Sequence, residues 1–296
     1  MLLSTITANL ATNPQNSREN FPIIKKAGFD GVDFSFSTIY SETPDVFNLP
    51  QNELTEFFLK IKEEANKNGI SVVQTHAIYP TQVVNAPKEA NEKRFSVIKK
   101  NIELTALMGC KYVVIHPVFC GYADAVSPEE EKRINIEFYT SLIPTLKKFG
   151  VVACLENMWV IRNGKIFGAI CADFTEARDY IDELNEIAGE ELFGFCYDFG
   201  HATLCSADIR KSVRILGDRI KAVHLHEVDG AHDNHGMPFT GVCDWEKIFT
   251  ALKEIGYNGN INFEATNAWG IFPYELREPA LNLLAAIGKY LIAKYM

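Results

Sequence analysis

Residues 194–202 read GFCYDFGHA, and with Phe193 they form an apolar, aromatic run that stops at Asp198, with His201 three residues on. An unbroken apolar run of this length is the pattern of a strand covered on both faces. Such a strand ends either in an ordinary polar loop or at a functional rim. The rest of the chain decides between these.

Runs of the same kind recur along the chain: LLSTITA (2–8), GVDFSF (31–36), SVVQTH (71–76), YVVIH (112–116), VVACLE (151–156), IKAVHLH (220–226) and NINFE (260–264). Between them lie longer segments with helical spacing and charged faces, at 51–69, 91–109, 127–150, 174–189, 206–217, 244–256 and 275–295. Ser127-Pro128 followed by Glu129 and Glu130 is a helix-start signal, and Gly69, Gly109 and Gly150 stand where helices should stop. Eight strand–helix units in one chain of this size predict an α/β fold, a single (β/α)8 TIM barrel filling residues 1–296 as one domain. Alternation alone does not reveal closure, so a doubly wound open sheet stays an alternative. The absence of G-x-G-x-x-G in the first turn speaks against it.

The 296 residues carry a net charge of −9, which offers no general attraction to nucleic acid or an anionic membrane. Seven cysteines without a C-x-x-C pair imply no disulfide framework. The opening MLLSTITANLATNPQN lacks the charged region of a signal peptide, and no apolar run is long enough to span a bilayer. A cytoplasmic protein is therefore expected. There is no P-loop, Rossmann fingerprint or G-x-S-x-G elbow, so no nucleotide cofactor is expected.

If the runs are barrel strands, their C-terminal ends should build the site. The third ends at His76, the fourth at His116, the fifth at Glu156 and the sixth at Asp198 with His201. The seventh carries His224 and His226 and leads to Asp233 and His235, and the eighth ends at Glu264. Any one of these alone would usually be a hydrogen-bonded structural residue. Six successive strands delivering imidazole or carboxylate to one rim is a different matter. Those are the ligand types of zinc, manganese and similar ions, and clustered carboxylates repel unless a cation neutralises them. A divalent metal (Zn, Mn, Mg or Co) is the expected cofactor. Cys154 and Cys196, two residues before a carboxylate, should point the same way but deeper, without taking part.

Taken together, VVQTH, VVIHP, CLEN, CYDFGHA, VHLHEVDGAHDNHGMPFTGVCDW and INFEATN resemble the xylose isomerase-like TIM barrels, over nearly the whole chain. That superfamily includes sugar-phosphate isomerases and epimerases, inosose-processing enzymes and endonuclease IV. For the isomerase and epimerase branch, the resemblance implies one metal on Glu156, Asp198, His224 and Glu264. It further implies a substrate contact at His201, and Glu156 and Glu264 as catalytic base and acid moving a proton through a metal-stabilised enediolate. The implied substrate is a small sugar, sugar phosphate or polyol ketone.

For endonuclease IV, the resemblance implies a three-metal cluster and a phosphodiesterase acting on abasic DNA. His76, His116, His201, Asp233 and His235 would then join the other four as ligands; otherwise they are substrate-facing residues. The loop GMPFTGVCDW resembles that of the sugar enzymes, and the loops at 77–89 and 157–170 are not notably basic. Nucleic acid and membrane are therefore not the expected partners. A binding protein without turnover and a homo-oligomer stay open. Trp159 and Trp269 could form an apolar wall for a sugar face, with His226 beside His224 on the same strand face. Trp245, Phe36, Tyr40 and Tyr79 are weaker candidates for that wall. Asp33 alternates with Ser35 and has no assigned role, and His232 reads as solvated loop.

Overall fold

The computed structural model describes residues 1–8, 17–42, 44–118, 120 and 126–296. The chain runs β1 (Leu3–Ile6), α1 (Ser17–Ala27), β2 (Gly31–Ser35), α2 (Phe36–Glu42), α3 (Gln51–Lys67), β3 (Ser71–His76), α4 (Lys88–Leu107) and β4 (Tyr112–Val114). Next come α5 (Pro128–Thr140), α6 (Ile143–Phe149), β5 (Val152–Glu156), β6 (Trp159–Arg162), β7 (Lys165–Gly168) and α7 (Phe174–Ala188). It ends with β8 (Phe193–Asp198), α8 (Phe199–Leu204), α9 (Ile209–Leu216), β9 (Ile220–His224), α10 (Trp245–Glu254), β10 (Ile261–Phe263), α11 (Asn267–Gly270) and α12 (Tyr274–Tyr295).

Eight strands pair in the order β10-β1-β2-β3-β4-β5-β8-β9, every pair parallel. The ring closes just past β9, where Leu225 bridges Phe263 in parallel. Leu225 N donates to Asn262 O and Glu264 N to Leu225 O, both at 3.0 Å. The fold is therefore a TIM barrel, not an open sheet. All eight β-prone runs are its strands.

The main core lies between strands and helices, and includes Phe34, Phe58, Phe193, Phe195, Tyr139 and Trp269. A smaller cluster of Val114, Val152, Cys154, Cys196 and Ala222 fills the barrel interior. Directly above it the interior turns polar. Cys154, Cys196 and Ala222 each sit two residues before Glu156, Asp198 and His224, and strand period two stacks them on the same inward face. This layering puts an apolar plug below the polar rim.

Two local details depart from the sequence reading. The helical stretch 127–150 is two helices, because Pro144 lacks an N–H and its ring would clash with the carbonyl four residues back. Its start is as expected: Ser127 Oγ accepts from Glu130 N at 3.2 Å, with Pro128 in the first turn. The stretch after Glu156, expected to be plain loop, contains the antiparallel hairpin β6–β7. Asn163 and Gly164 form its turn with φ of 49° and 72°, the conformation that Asn-Gly adopts in tight hairpins. All seven cysteines are free. No helix among the described residues is long and apolar enough to cross a membrane.

Candidate metal centre

Asp198 explains the stretch 194–202. It is the last residue of β8 and the N-cap of α8, and its Oδ1 accepts from His201 N at 2.7 Å. An N-cap side chain reaches the backbone N–H two or three residues on, so the Asp-x-x-His spacing is the spacing of the cap. Asn157 ties β5 to the same corner. Its Oδ1 accepts from Asp198 N at 2.9 Å and its Nδ2 donates to Asp198 O at 2.8 Å.

The rim residues meet in three groups. His224 Nδ1 lies 3.0 Å from Glu156 Oε1, 3.1 Å from Glu264 Oε2 and 3.9 Å from Asp198 Oδ2. His116 Nε2 lies 2.8 Å from Glu156 Oε2 and 3.0 Å from His76 Nε2, which is 3.7 Å from the same oxygen. Asp233 Oδ2 lies 3.1 Å from His201 Nε2 and 3.3 Å from His235 Nε2, with His226 Nε2 3.7 Å from Asp233 Oδ1. Glu156 serves the first two groups, one oxygen each.

Hydrogen bonding decides what these contacts are. A backbone carbonyl can only accept, so the ring nitrogen facing it carries the proton. His76 Nδ1 faces Ala77 O (2.9 Å), His201 Nδ1 faces Asn157 O (2.8 Å) and His235 Nδ1 faces Glu264 O (2.7 Å). His226 Nδ1 faces Glu227 O at 3.3 Å. In neutral rings the other nitrogen is then a lone pair aimed at its neighbours in the centre, carboxylate oxygens in every group. Lone pair against carboxylate is repulsive unless a second proton or a metal cation lies between them.

The buried Oε2 of Glu156 and Oδ1 of Asp233 accept no aligned hydrogen bond, despite the imidazoles beside them. Donors about 3 Å apart are spaced as neighbours on one ion with bonds of about 2.0–2.2 Å. The residues present therefore fit a divalent ion.

Protons take the cation's place when none is bound. Burial opposes charge on His76, but the nearby carboxylates of Glu156 and Glu264 raise its pKa to about 9. Burial likewise opposes charge on His201, which Asp198 and Asp233 lift to about 10, and on His235, which Asp233 and Glu264 lift to about 9. His224 is raised well above the ordinary range against its own burial, by the carboxylates of Glu264, Glu156 and Asp33. His116 is pushed down, chiefly by burial. Burial works to raise Glu156, Asp198 and Asp233, yet the neighbouring imidazoles hold all three below the usual carboxylate range.

Above the groups opens a cavity of about 860 Å³. Glu156, Glu264, His76, His116, His201, Asp233 and His235 line it, and Trp159, Met158, Val160, Ile161 and Tyr79 form an apolar side. Trp159 belongs to β6, and its Nε1 donates to Asp233 Oδ2 at 3.2 Å. Trp269 is not brought to this wall. It is fully buried and packs in the core. Trp245 is buried too, and Phe36 sits in an aromatic cluster with Phe34 and Phe58. Tyr40 packs against Phe47. His232 is exposed and pairs with Asp229 at 2.9 Å.

Cys196 comes closer to the centre than its depth suggested, within reach of Glu156 and His224. Burial pushes its thiol well up, which keeps it protonated and a poor ligand at neutral pH.

Several supporting residues carried no sequence signal. Glu227, fully buried, accepts from Val228 N (3.2 Å), Cys243 N (2.8 Å), Phe239 N (2.9 Å) and Trp245 Nε1 (2.8 Å). It folds the 228–243 loop back on β9 and so delivers Asp233 and His235. Asn163-Gly164 was a legible hairpin signal; Glu227 was not, because a carboxylate serving only N–H donors has no motif.

A family model described as a xylose isomerase-like TIM barrel matches residues 21–287. The 3-dehydro-D-guloside 4-epimerase of Escherichia coli is 22% identical over 266 residues, 87% of this chain and 90% of the relative. The probable endonuclease 4 of a Thermotoga species is 26% identical over 259 residues, 80% of this chain and 86% of the relative. Among solved structures, the IolI protein with a bound zinc atom superposes with a TM-score of 0.75 at 20% identity, covering 100% of this chain and 99% of its own. With a family match of that extent over a closed eight-stranded parallel barrel, the chain belongs to the xylose isomerase-like TIM barrel family.

Proposed function

We propose that the protein is a divalent-metal-dependent isomerase or epimerase acting on a small, uncharged keto sugar or polyol ketone. The observation that carries this reading is the convergence of His224 Nδ1 with Glu156 Oε1 and Glu264 Oε2, at 3.0 and 3.1 Å, beside a cavity both carboxylates line. Glu156, Asp198, His224 and Glu264 would hold the ion. When bound there, a divalent ion supplies Lewis acidity, polarising a carbonyl oxygen and acidifying the neighbouring C–H.

The chain's own residues do the rest. One of Glu156 and Glu264 takes the proton from carbon and the other returns it, as general base and acid. His201 and His235, each locked by a backbone carbonyl at Nδ1 and paired with Asp233 through Nε2, line the cavity beside the place for substrate hydroxyls. The β6–β7 hairpin covers one apolar face of the sugar with Trp159. No Lys or Arg lines the cavity among the residues whose side chains are described. That favours a neutral substrate over a sugar phosphate.

The test is solvent exchange. The metal-loaded protein, incubated with trial ketoses in deuterium oxide, is expected to place deuterium on the carbon next to the carbonyl. Glu264→Gln should slow this by about 10²–10⁴-fold. Absence of exchange across free ketoses and inososes would sink the proposal.

One observation supports a second reading, a metal-dependent phosphodiesterase acting on abasic DNA. The His76/His116/Glu156 and His201/Asp233/His235 groups are complete donor sets beside the first. Three tightly held ions per chain together with cleavage of an abasic duplex would favour it; one ion and no cleavage would dismiss it.

A further inference from the structure

We propose that Asp33, on the far wall of the barrel, is the positioning residue that makes His224 a ligand through Nδ1. This rests on the reading that His224 holds the ion. Asp33 is completely buried, and its Oδ2 lies 3.0 Å from His224 Nε2. The same oxygen accepts from Gln74 Nε2 at 2.8 Å and from Asn262 Nδ2 at 3.3 Å. Asn262 is itself held by Ser4 Oγ, which donates to its Oδ1 at 3.0 Å. Strands β2, β3, β9 and β10 thus meet at one carboxylate oxygen, with β1 joined through Asn262. A register shift between Val32 and Asp33 sets Asp33 opposite Gln74, so both side chains enter the barrel together.

His224 differs from the other histidines of the centre in two ways. His76, His201, His226 and His235 each have Nδ1 beside a backbone carbonyl and turn Nε2 to the site. His224 is reversed: Nε2 faces away, and Nδ1 meets Glu156 and Glu264. Its orienting partner is a side-chain carboxylate. Both ring nitrogens face carboxylates, which accept; with an ion shared by Nδ1, Glu156 and Glu264, Asp33 is the acceptor that keeps the proton on Nε2 and leaves the Nδ1 lone pair for the ion. An anionic partner also raises the basicity of the ring, and residues in that position typically change metal affinity 10–100-fold when lost.

The experiment measures zinc affinity of the full chain, stripped with a chelator and titrated against a competing zinc indicator. Asp33→Asn and Asp33→Ala are compared with wild type and with Glu264→Gln, and circular dichroism of the stripped forms checks that each is folded. Asp33→Asn is expected to bind zinc about 10–100-fold more weakly than wild type. Unchanged affinity in Asp33→Asn, with Glu264→Gln weakened, would overturn the role of Asp33 while leaving the metal reading intact. Failure of wild type to bind zinc, or indifference to Glu264→Gln, would instead overturn the metal reading.

A second measurement needs no variant. Two-bond 1H–15N correlation spectra of the zinc-loaded wild type should show His224 protonated at Nε2 with Nδ1 bound to metal. The opposite tautomer would overturn the proposal even if a variant failed to fold.

Discussion

A methyl group added at Gly200 would lie 2.0 Å from Cε1 of His226, whose Nε2 is 3.1 Å from both oxygens of Asp198. The ring is held on its other side by His235, stacked with centroids 4.0 Å apart. It has no room to retreat. Gly200→Ala should therefore destabilise the protein by about 1–3 kcal/mol through overpacking. It should also release Asp198 from His226, so zinc affinity falls with stability. Urea denaturation and the zinc titration read the two effects; a neutral substitution would mean that His226 is not wedged in this way. His235 itself has φ of 41°, a conformation costly for a non-glycine residue. It is pinned there by Asn267 N, which donates to His235 O at 3.0 Å, and by the Nδ1 bond to Glu264 O.

At the scale of elements, the loop 228–243 and the hairpin β6–β7 bring residues to the rim from outside the barrel. The loop depends on Glu227, which meets four N–H donors with one carboxylate. Glu227→Gln turns an NH2 group against such donors and should cost about 3 kcal/mol. Hydrogen exchange is then expected to speed up across residues 228–243 while β5 and β8 stay protected. Equal acceleration everywhere would count against a local role. For the hairpin, Gly164 at φ 72° serves the turn and Trp159 serves the cavity. Trp159→Ala removes the ring that would cover a sugar face, and KM for an active ketose should rise about tenfold, the effect of losing roughly 1.5 kcal/mol of apolar contact. Unchanged KM would place substrate on another wall.

At the scale of the whole molecule, the centre couples stability to pH. In the metal-free protein His76, His201 and His235 have pKa values raised to about 9, 10 and 9, from 6.5. Their contribution is fully present below pH 6.5 and is lost as pH rises through 9–10. Glu156, Asp198 and Asp233 are depressed, so theirs is present above the ordinary carboxylate pKa and is lost as pH falls through the folded values. His116, pushed down by burial, takes back part of the gain below pH 6.5.

Thermal unfolding of chelator-treated protein should therefore show Tm highest in the mildly acidic range and falling from pH 6.5 to 10. With zinc bound the alkaline fall should shrink, because the ion replaces the protons. A Tm equally flat in both forms would mean the imidazoles are not charged in the metal-free fold.

The periodic runs and their polar termini were enough to mark the eight strands and the residues that end them, because strand period and helix capping are local physics; alternation alone left closure open. Asp198 and His201 illustrate it: one N-cap sets both the strand end and the spacing. Tertiary structure alone decided the rest. Trp269 reads like Trp159 in the sequence, yet one fills the core and the other faces the cavity. Asp33 reads as one polar residue in an apolar run, yet it meets a histidine 191 positions away. Which lone pair faces which carboxylate depends on such partners, and closing the barrel is what brings them within 3 Å.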